Sequence, residues 1–189
     1  MKMTRTVRDF QNALLELLEN HPFEHLTVDQ ICKAAMLHRS SFYRYFHDKY
    51  DLLEQTLLNR IDSLVSDCND EVEIIHVLMD YIGQHRNLIR NLTDSDANGS
   101  LDSEMIKILN QIFMDQMRTS KSKSVLLEAL RRSDNPKLLA SIFSGSIMGA
   151  AYWWRHSDFV LPSDQIIETI ESSIKVIAKV QLPGQKKQS

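Results

Sequence analysis

Residues 27–46 constrain the fold most, because their pattern predicts two short helices joined by a tight turn. Thr27 is a good N-cap, and Gln30 stands three residues later, so side chains and backbone can cap each other at the start of a helix. After a turn at 36–38, a second helix follows whose three-and-four spacing separates an aromatic face from a polar face. This arrangement predicts a helix-turn-helix. The aromatic face consists of Phe42, Tyr45 and Phe46.

The polar face of the second helix carries side chains that suit the major groove of DNA. Arg39 and Arg44 can read guanine edges bidentately, whereas hydroxyl and imidazole groups reach phosphates. A recognition helix reads bases from its N-terminal residues, which here begin near Arg39. The candidate DNA-binding residues are Thr27, His38, Arg39, Ser40, Ser41, Tyr43, Arg44, His47 and Lys49.

The stretch from about Thr6 to Leu53 resembles the N-terminal domain of the TetR family of transcriptional regulators. That family's signature has the form T-x-x-x-I-A-x-x-A-G-V-S-x-G-T-x-Y-x-Y/H-F-x-x-K-x-x-L, which is far more specific than a generic helix-turn-helix pattern. The resemblance implies double-stranded operator DNA as a partner, a homodimer, and a second domain that responds to an effector. The matching residues are Thr27, Ile31, Ala35, Phe42, Tyr43, Tyr45, Phe46, Lys49 and Leu52.

The chain departs from the family signature around the turn. Met36 stands where the family usually has Gly, so the turn either avoids the left-handed conformation or holds a methionine in it at some strain. His38 replaces the usual Ser at the N-cap of the recognition helix, and Ser40 and Ser41 replace the usual Gly-Thr pair. The local base contacts are therefore expected to be specific to this protein.

The whole chain is predicted to be helical. Glycine (5) and proline (4) are scarce among 189 residues and no strong period-two alternation appears, so we assign an all-α fold. We expect a three-helix DNA-binding domain over 1–50 and a helical effector-binding and dimerisation domain over 51–189. The first helix is predicted to start at Thr6, with Asp9 completing a capping-box-like pair, and Asp48 is expected to cap the fourth. Further helices are predicted near 70–91, 101–119, 122–132, 136–156 and 163–181, with a loop at 93–100.

The charge distribution supports a local DNA-binding surface. A net charge of −3 taken alone argues against nucleic-acid binding. Residues 1–50, however, carry seven Lys and Arg against six Asp and Glu, a net charge of +1 that leaves −4 for 51–189. Between residues 38 and 49 the sequence has three basic residues, Arg39, Arg44 and Lys49, and one acidic residue, Asp48. The basic footprint thus coincides with the predicted recognition helix.

The second domain contains methionine and aromatic side chains that can line an adaptable cavity for an apolar ligand. An ordinary core explains the same side chains equally well, and the resemblance implies only that a cavity lies somewhere between the helices from 50 to 155. The candidate pocket residues are Met79, Phe113, Met117 and Trp153.

The last two long helices are predicted to form a dimer interface. The segment from Leu138 to Trp154 has no charged residue, and its Gly145 and Gly149 allow two helices to approach closely. A membrane span is disfavoured because the run is shorter than about 20 residues and contains serines. The resemblance likewise implies a four-helix interface between two subunits. The candidate interface residues are Gly145, Gly149, Ile170, Ile174 and Ile177.

Enzymatic chemistry has little support in this sequence. No Gly-rich phosphate loop, nucleophile elbow or repeated metal-ligand spacing appears, so we expect no cofactor and no metal. Cys32 and Cys68 lack a Cys-x-x-Cys or His-rich neighbourhood and are interpreted as inert thiols. The polar N-terminus lacks an apolar leader, which favours a cytoplasmic protein without membrane association.

The sequence therefore predicts a sequence-specific DNA-binding regulator. Our first hypothesis is a dimeric repressor that a small-molecule effector releases from its operator. The alternative keeps the DNA-binding domain but gives the second domain a partner protein in place of a small ligand, as in a co-activator. A third hypothesis, an all-helical enzyme, requires ionisable groups that converge in a buried cleft.

Overall fold

The computed structural model describes residues 4–93 and 100–181, and within these ranges it contains helices and no strand, as the all-α assignment predicts. A short 3-10 turn, Phe23–His25, precedes the second helix. The predicted loop at 93–100 falls mainly on residues outside the described ranges. The helices are α1 (Arg5–Leu18), α2 (Val28–Ala34), α3 (Arg39–Tyr45), α4 (Lys49–Val65), α5 (Glu71–Gln84), α6 (Arg86–Thr93), α7 (Ser100–Thr119), α8 (Val125–Arg132), α9 (Pro136–His156) and α10 (Ser163–Gln181).

Local capping explains where the first helices begin. The capping box of α2 is confirmed, because Gln30 N donates to Thr27 Oγ1 at 3.3 Å and Thr27 N donates to Gln30 Oε1 at 2.8 Å. The predicted start of α1 at Thr6 is wrong. Thr4 has an extended backbone and its hydroxyl accepts from Val7 N, so Thr4 is the N-cap and Thr6 lies inside the first turn.

Asp48 caps α4 as predicted. Its Oδ1 accepts hydrogen bonds from the backbone N–H groups of Tyr50 at 2.8 Å and Asp51 at 2.9 Å. These bonds satisfy two of the N–H groups that a helix start leaves without an intrahelical partner.

Two helix predictions in the second half need correction. The single helix expected near 70–91 is two helices, because α5 ends at Gln84 and α6 begins at Arg86, with the backbone carbonyl of His85 accepting from Ile89 N. The helix expected from 122 begins at Val125 instead, because the Ser124 hydroxyl accepts from Leu127 N and acts as its N-cap.

The described chain divides into two compact units. The first contains residues 4–64 and 84–93, and the second contains 65–83 and 100–181. The packing division thus falls after Leu64, whereas the boundary predicted from the sequence lies at 50. In the first unit, α1 packs against α2, α3 and α6, and the ring of Phe10 meets those of Phe42 and Phe46 edge-on at 5.4 and 5.9 Å. This aromatic cluster fixes α3 on α1.

The second unit is built around the long helices α7, α9 and α10. Helix α7 packs along α9, while α10 packs against both α8 and α9. Phe113, Phe143 and Trp154 are fully buried in its core. Among the described residues, no helix is long and apolar enough to cross a membrane.

Candidate nucleic-acid interface

Helix α3 presents one buried and one exposed face, as its sequence spacing predicts. Phe42 and Phe46 are buried against Phe10, so the helix has little freedom to rotate about its axis. Ser40 and Arg44 are exposed on the outer side. The exposed face therefore sits on a rigid support, which is what precise reading of base edges requires. Arg39, Tyr43, His38 and His47 are also exposed.

The turn before α3 holds Met36 in the left-handed conformation. Its φ is 53°, and the residue is 90% exposed. Met36 N donates to Lys33 O at 3.1 Å and Leu37 N donates to Cys32 O at 3.0 Å. These two bonds form a Schellman motif, which favours glycine at the position of Met36 because a Cβ is strained there. Of the two possibilities raised by the sequence, the strained methionine is the one adopted.

His38 occupies the N-cap position of α3, but its imidazole makes no capping hydrogen bond. The backbone carbonyl of His38 accepts from Ser41 N at 2.9 Å and from Phe42 N at 3.3 Å. The imidazole is thus exposed at the start of the recognition helix without a capping role. Ser41 is half-buried, unlike its exposed neighbour Ser40.

Arg39 is held by two neighbours on the same surface. Its Nη1 donates to Asp29 Oδ1 at 2.8 Å, and its Nη2 donates to the Tyr43 hydroxyl at 3.1 Å. The hydrogen bond to Tyr43 and the charge of Asp29 raise the pKa of Arg39 above its usual value. The guanidinium carbon lies 5.5 Å from the centre of the Tyr43 ring. Arg39 is charged, as every arginine side chain is, and these contacts orient its donors.

Our sequence reasoning missed Asp29. It lies in the first turn of α2, ten residues before Arg39. We did not select it as a candidate DNA-binding residue because a carboxylate repels the phosphates of DNA. The available signal was the combination of an acid at the start of one helix with an arginine at the start of the next.

Two predicted DNA-contacting residues have structural roles in the fold. The Thr27 hydroxyl belongs to the α2 capping box and also donates to Gln30 Oε1 at 2.9 Å. The side chain of Lys49 is only 14% exposed, and its ammonium donates to the backbone carbonyls of Phe23 and Glu24. Lys49 thus differs from the exposed groups of α3, although a DNA contact from it remains a prediction.

The structure distributes the candidate pocket residues over different environments. Met79 and Phe113 are buried in the core of the second unit, and Met117 is half-buried. Trp153 is 51% exposed, so it lies at the surface and does not join the buried residues.

A groove of about 240 Å³ opens elsewhere in this unit, where the starts of α5 and α8 meet α10. Its apolar lining includes Ile75, Val125 and Ile174, and both acidic and lysine side chains complete it.

The candidate interface residues on α9 and α10 also separate into two groups. Gly145 and Gly149 face open space, because a Cβ on either would meet no heavy atom within 4 Å. Ile170 and Ile174 are instead 2% exposed, so they belong to the protomer's own core and offer no surface to a second copy. The apolar stripe on α10 is covered by α8 and α9 of the same chain. Ile177 is half-buried.

Both halves of the chain match models of known regulatory domains. Residues 12–56 match the model described as bacterial regulatory proteins of the tetR family, and residues 69–176 match a transcriptional regulator C-terminal region. An HTH-type transcriptional regulator of Bacillus subtilis, YxbF, is 24% identical over 90 residues. That match covers 40% of this chain and 23% of the relative's length.

Solved structures show the same fold at low sequence identity. The dihydroxyacetone kinase operon activator DhaS has a TM-score of 0.64 and 16% identity, with 93% of this chain and 97% of DhaS covered. A TetR transcriptional regulator from Streptococcus agalactiae has a TM-score of 0.62 and 18% identity, with 90% and 93% covered. At such identities, the comparison establishes the fold alone.

Proposed function

The chain belongs to the TetR family of DNA-binding transcriptional regulators, and from that premise we propose that it is a homodimeric repressor released from its operator by a small-molecule effector. Operator DNA lies in the bacterial cytoplasm, so we expect the protein to act there. The observation that carries the proposal is the exposed polar face of α3 on a support of buried aromatic rings.

The recognition helix supplies both kinds of contact that specific DNA binding needs. We assign base reading to Arg39 and Arg44, because a guanidinium can donate two parallel hydrogen bonds to O6 and N7 of guanine. Ser40, Tyr43 and His38 are exposed near them and suit phosphate contacts, which fix the register of the protein on the duplex.

A stripe of exposed and half-exposed, largely apolar residues along α9 supports dimerisation. Its members recur every three or four residues, which places them on one side of the helix. The two glycines in the stripe allow a helix of a second copy to approach closely. On α10, which packs against α9, Val176 is also exposed. The stripe on α9 consists of Leu138, Ile142, Gly145, Gly149, Tyr152 and Trp153.

A two-fold dimer explains how one small recognition helix achieves specificity. Two such helices about 34–36 Å apart enter successive major grooves on one face of the duplex. An effector that binds the wide-spaced state better than the DNA-competent state lowers operator affinity, and operator DNA weakens effector binding by the same factor. Among the described residues, the chain passes between the two units after Leu64 and again after Gly83, so a change in the second unit can reach the first through the backbone at both places.

A second candidate is an activator whose second unit binds a partner protein. One structural relative is named as an operon activator. The burial of Met79 and Phe113 in an ordinary core also favours this alternative over a cavity at those residues.

Selection from a random duplex library tests the DNA-binding assignment. The purified full chain should enrich a two-fold symmetric sequence whose half-sites lie about one helical turn apart. Recovery of sequences without a shared motif would contradict it. Transcription measured from a promoter that contains the selected sequence then distinguishes a repressor from an activator. Operator affinity measured during titration with small molecules or with cell extract distinguishes a small-molecule effector from a partner protein.

Dimerisation is tested by sedimentation of the parent chain and of Gly149→Trp. We expect the parent to be a dimer at micromolar concentration and the variant to dissociate, because the indole fills the space that a second copy occupies. Leu58→Trp, at an exposed position on α4, is the matched control and should stay dimeric. A parent chain that sediments as a monomer contradicts the proposal.

A further inference from the structure

Asp29 and Arg39 form a contact that the DNA-binding proposal does not use. The two residues lie on successive helices, α2 and α3, and their side chains are 70% and 57% exposed. An ion pair this exposed contributes little to stability. The ion pair therefore matters mainly for the orientation of the Arg39 guanidinium, which lies at the start of the recognition helix.

The geometry leaves Arg39 able to read a base while it is held. A guanidinium has five N–H donors, of which one is used by Asp29 and one by the Tyr43 hydroxyl. Three remain for a base edge. The Tyr43 hydroxyl accepts from Arg39, so its own proton stays available for a phosphate oxygen.

A free arginine loses rotamer freedom when it binds a base, and this loss lowers affinity. Contacts from two sides restrict Arg39 before DNA arrives, so less freedom is lost in the complex. The carboxylate of Asp29 also opposes phosphate oxygens by like charge, which weakens binding modes in which Arg39 merely follows the backbone. Both effects favour base reading over sequence-independent binding.

We infer that Asp29 is a positioning residue that sets operator specificity by orienting Arg39 for base reading. The inference rests on the proposed function, since it requires that Arg39 contacts a base. Asp29 itself needs no contact with DNA.

The test compares Asp29→Ala with the parent on two labelled duplexes: the sequence selected from the random library and a scrambled version of it. Asp29→Ala should lose roughly 2- to 12-fold in affinity for the selected duplex, the range expected for restoring freedom to one long side chain. Its affinity for the scrambled duplex should stay within about twofold or rise, because sequence-independent binding follows phosphate contacts. Asp29→Asn keeps an oxygen acceptor for Nη1 and should lose less than Asp29→Ala.

Asp9→Ala is the matched charge control, because Asp9 pairs with Arg5 on α1 at 4.0 Å and does not contact Arg39. It should leave the ratio of the two affinities unchanged. In an Arg39→Ala background, Asp29→Ala should have no further effect on that ratio.

Two results overturn the inference. Tighter binding of Asp29→Ala to the selected duplex would show that the carboxylate competes with DNA for Arg39. Equal losses on both duplexes would show a general effect on α2. Failure of the proposed function looks different, because Arg39→Ala would then keep the full preference for the selected duplex.

Discussion

The ammonium of Lys49, the first residue of α4, donates a 3.1 Å hydrogen bond to the backbone carbonyl oxygen of Phe23. A second bond of 2.9 Å reaches the carbonyl oxygen of Glu24, and the nitrogen lies 4.7 Å from the centre of the Phe23 ring and 5.2 Å from that of Tyr50. Lys49 thus joins the end of the helix-turn-helix to the short turn that precedes it.

Replacing Lys49 by Met should lower the free energy of unfolding by roughly 1–3 kcal/mol. The variant keeps most of the side-chain volume but loses charged hydrogen bonds to two carbonyls and the contacts with two rings. Urea unfolding measures the change. Lys33→Met, at an exposed lysine on α2, is the control and should stay within about 0.5 kcal/mol. A variant with parental stability but weaker operator binding would instead identify Lys49 as a DNA contact alone.

Replacing Met36 by Gly should raise the free energy of unfolding by about 0.5–1 kcal/mol. The left-handed backbone at φ 53° costs about 1–2 kcal/mol for a residue with a Cβ, and glycine removes this strain. Part of the resulting gain in stability is offset, because glycine has more conformational freedom to lose when the chain folds. The methionine side chain is exposed, so little packing is lost.

Ala35→Gly is the control for Met36→Gly, because Ala35 is a neighbour with an ordinary helical φ of −71°. It should destabilise by up to about 1 kcal/mol. Urea midpoints of the two variants should therefore move in opposite directions. Movement in the same direction would show that the conformation of Met36 carries no strain.

Local patterns predicted the helix starts whose caps lie next to them in sequence. In three helices the capping residue stands directly before the first helical turn, where the sequence pattern shows it. These caps are Thr27 with Gln30 for α2, Asp48 for α4, and Asn135 followed by Pro136 for α9. The start of α1 was misplaced because Thr4 and Thr6 both offer a hydroxyl. The N-cap is the threonine whose backbone is extended, and the spacing of residues in the sequence does not show which of the two that is.

Periodicity predicted which faces are apolar but not what covers them. The isoleucines of α10 follow the helical stripe, yet a stripe looks the same whether its partner is the same chain or a second copy. Tertiary packing assigns Ile170 and Ile174 to the protomer's core and leaves Leu138 and Ile142 of α9 exposed. The contacts of Asp29 with Arg39 and of Lys49 with Phe23 could not be predicted for a related reason, since each joins two different elements.

Both cysteines should react slowly with alkylating reagents in the folded protein. Burial, followed by nearby carboxylates, raises the pKa of the Cys32 and Cys68 thiols above the ordinary 9.0. At pH 8, iodoacetamide should therefore label the native chain far more slowly than the urea-unfolded chain. Cys68 is half-buried and Cys32 is buried, so Cys68 should label first, as mass spectrometry of digested samples would show. Equal rates in native and unfolded chains would contradict this.

The same shifts predict how stability changes at high pH. Because the folded pKa values are raised, the unfolded thiols ionise first as pH increases. Their contribution to stability is fully present well below the pKa of the unfolded thiols and is lost as the pH rises through the folded pKa. The urea midpoint should fall over that window, and a Cys32→Ser, Cys68→Ser variant should show a smaller fall.

Adding one methyl group at Gly83 in α5 should destabilise the fold. A Cβ at this position would lie 3.1 Å from Cη2 of Trp154, which is closer than ordinary van der Waals contact. Trp154 is fully buried, and its Nε1 donates a 2.8 Å hydrogen bond to the carbonyl oxygen of Leu161, so the indole cannot move aside freely. The clash should outweigh the gain in helix propensity of about 1 kcal/mol. We expect Gly83→Ala to lower the free energy of unfolding by roughly 1–2 kcal/mol.

Gly145→Ala is the matched control for Gly83→Ala, since both glycines are helical but only Gly83 faces a buried ring. The control should gain up to about 1 kcal/mol from helix propensity alone. Unfolding at two protein concentrations separates this gain from any effect on dimerisation, because only the latter depends on concentration. In a Trp154→Phe background the smaller ring leaves room for the methyl group, so Gly83→Ala should become neutral or stabilising. If Gly83→Ala lowered the free energy of unfolding equally in the parent and in Trp154→Phe, a clash with Trp154 would not be the cause.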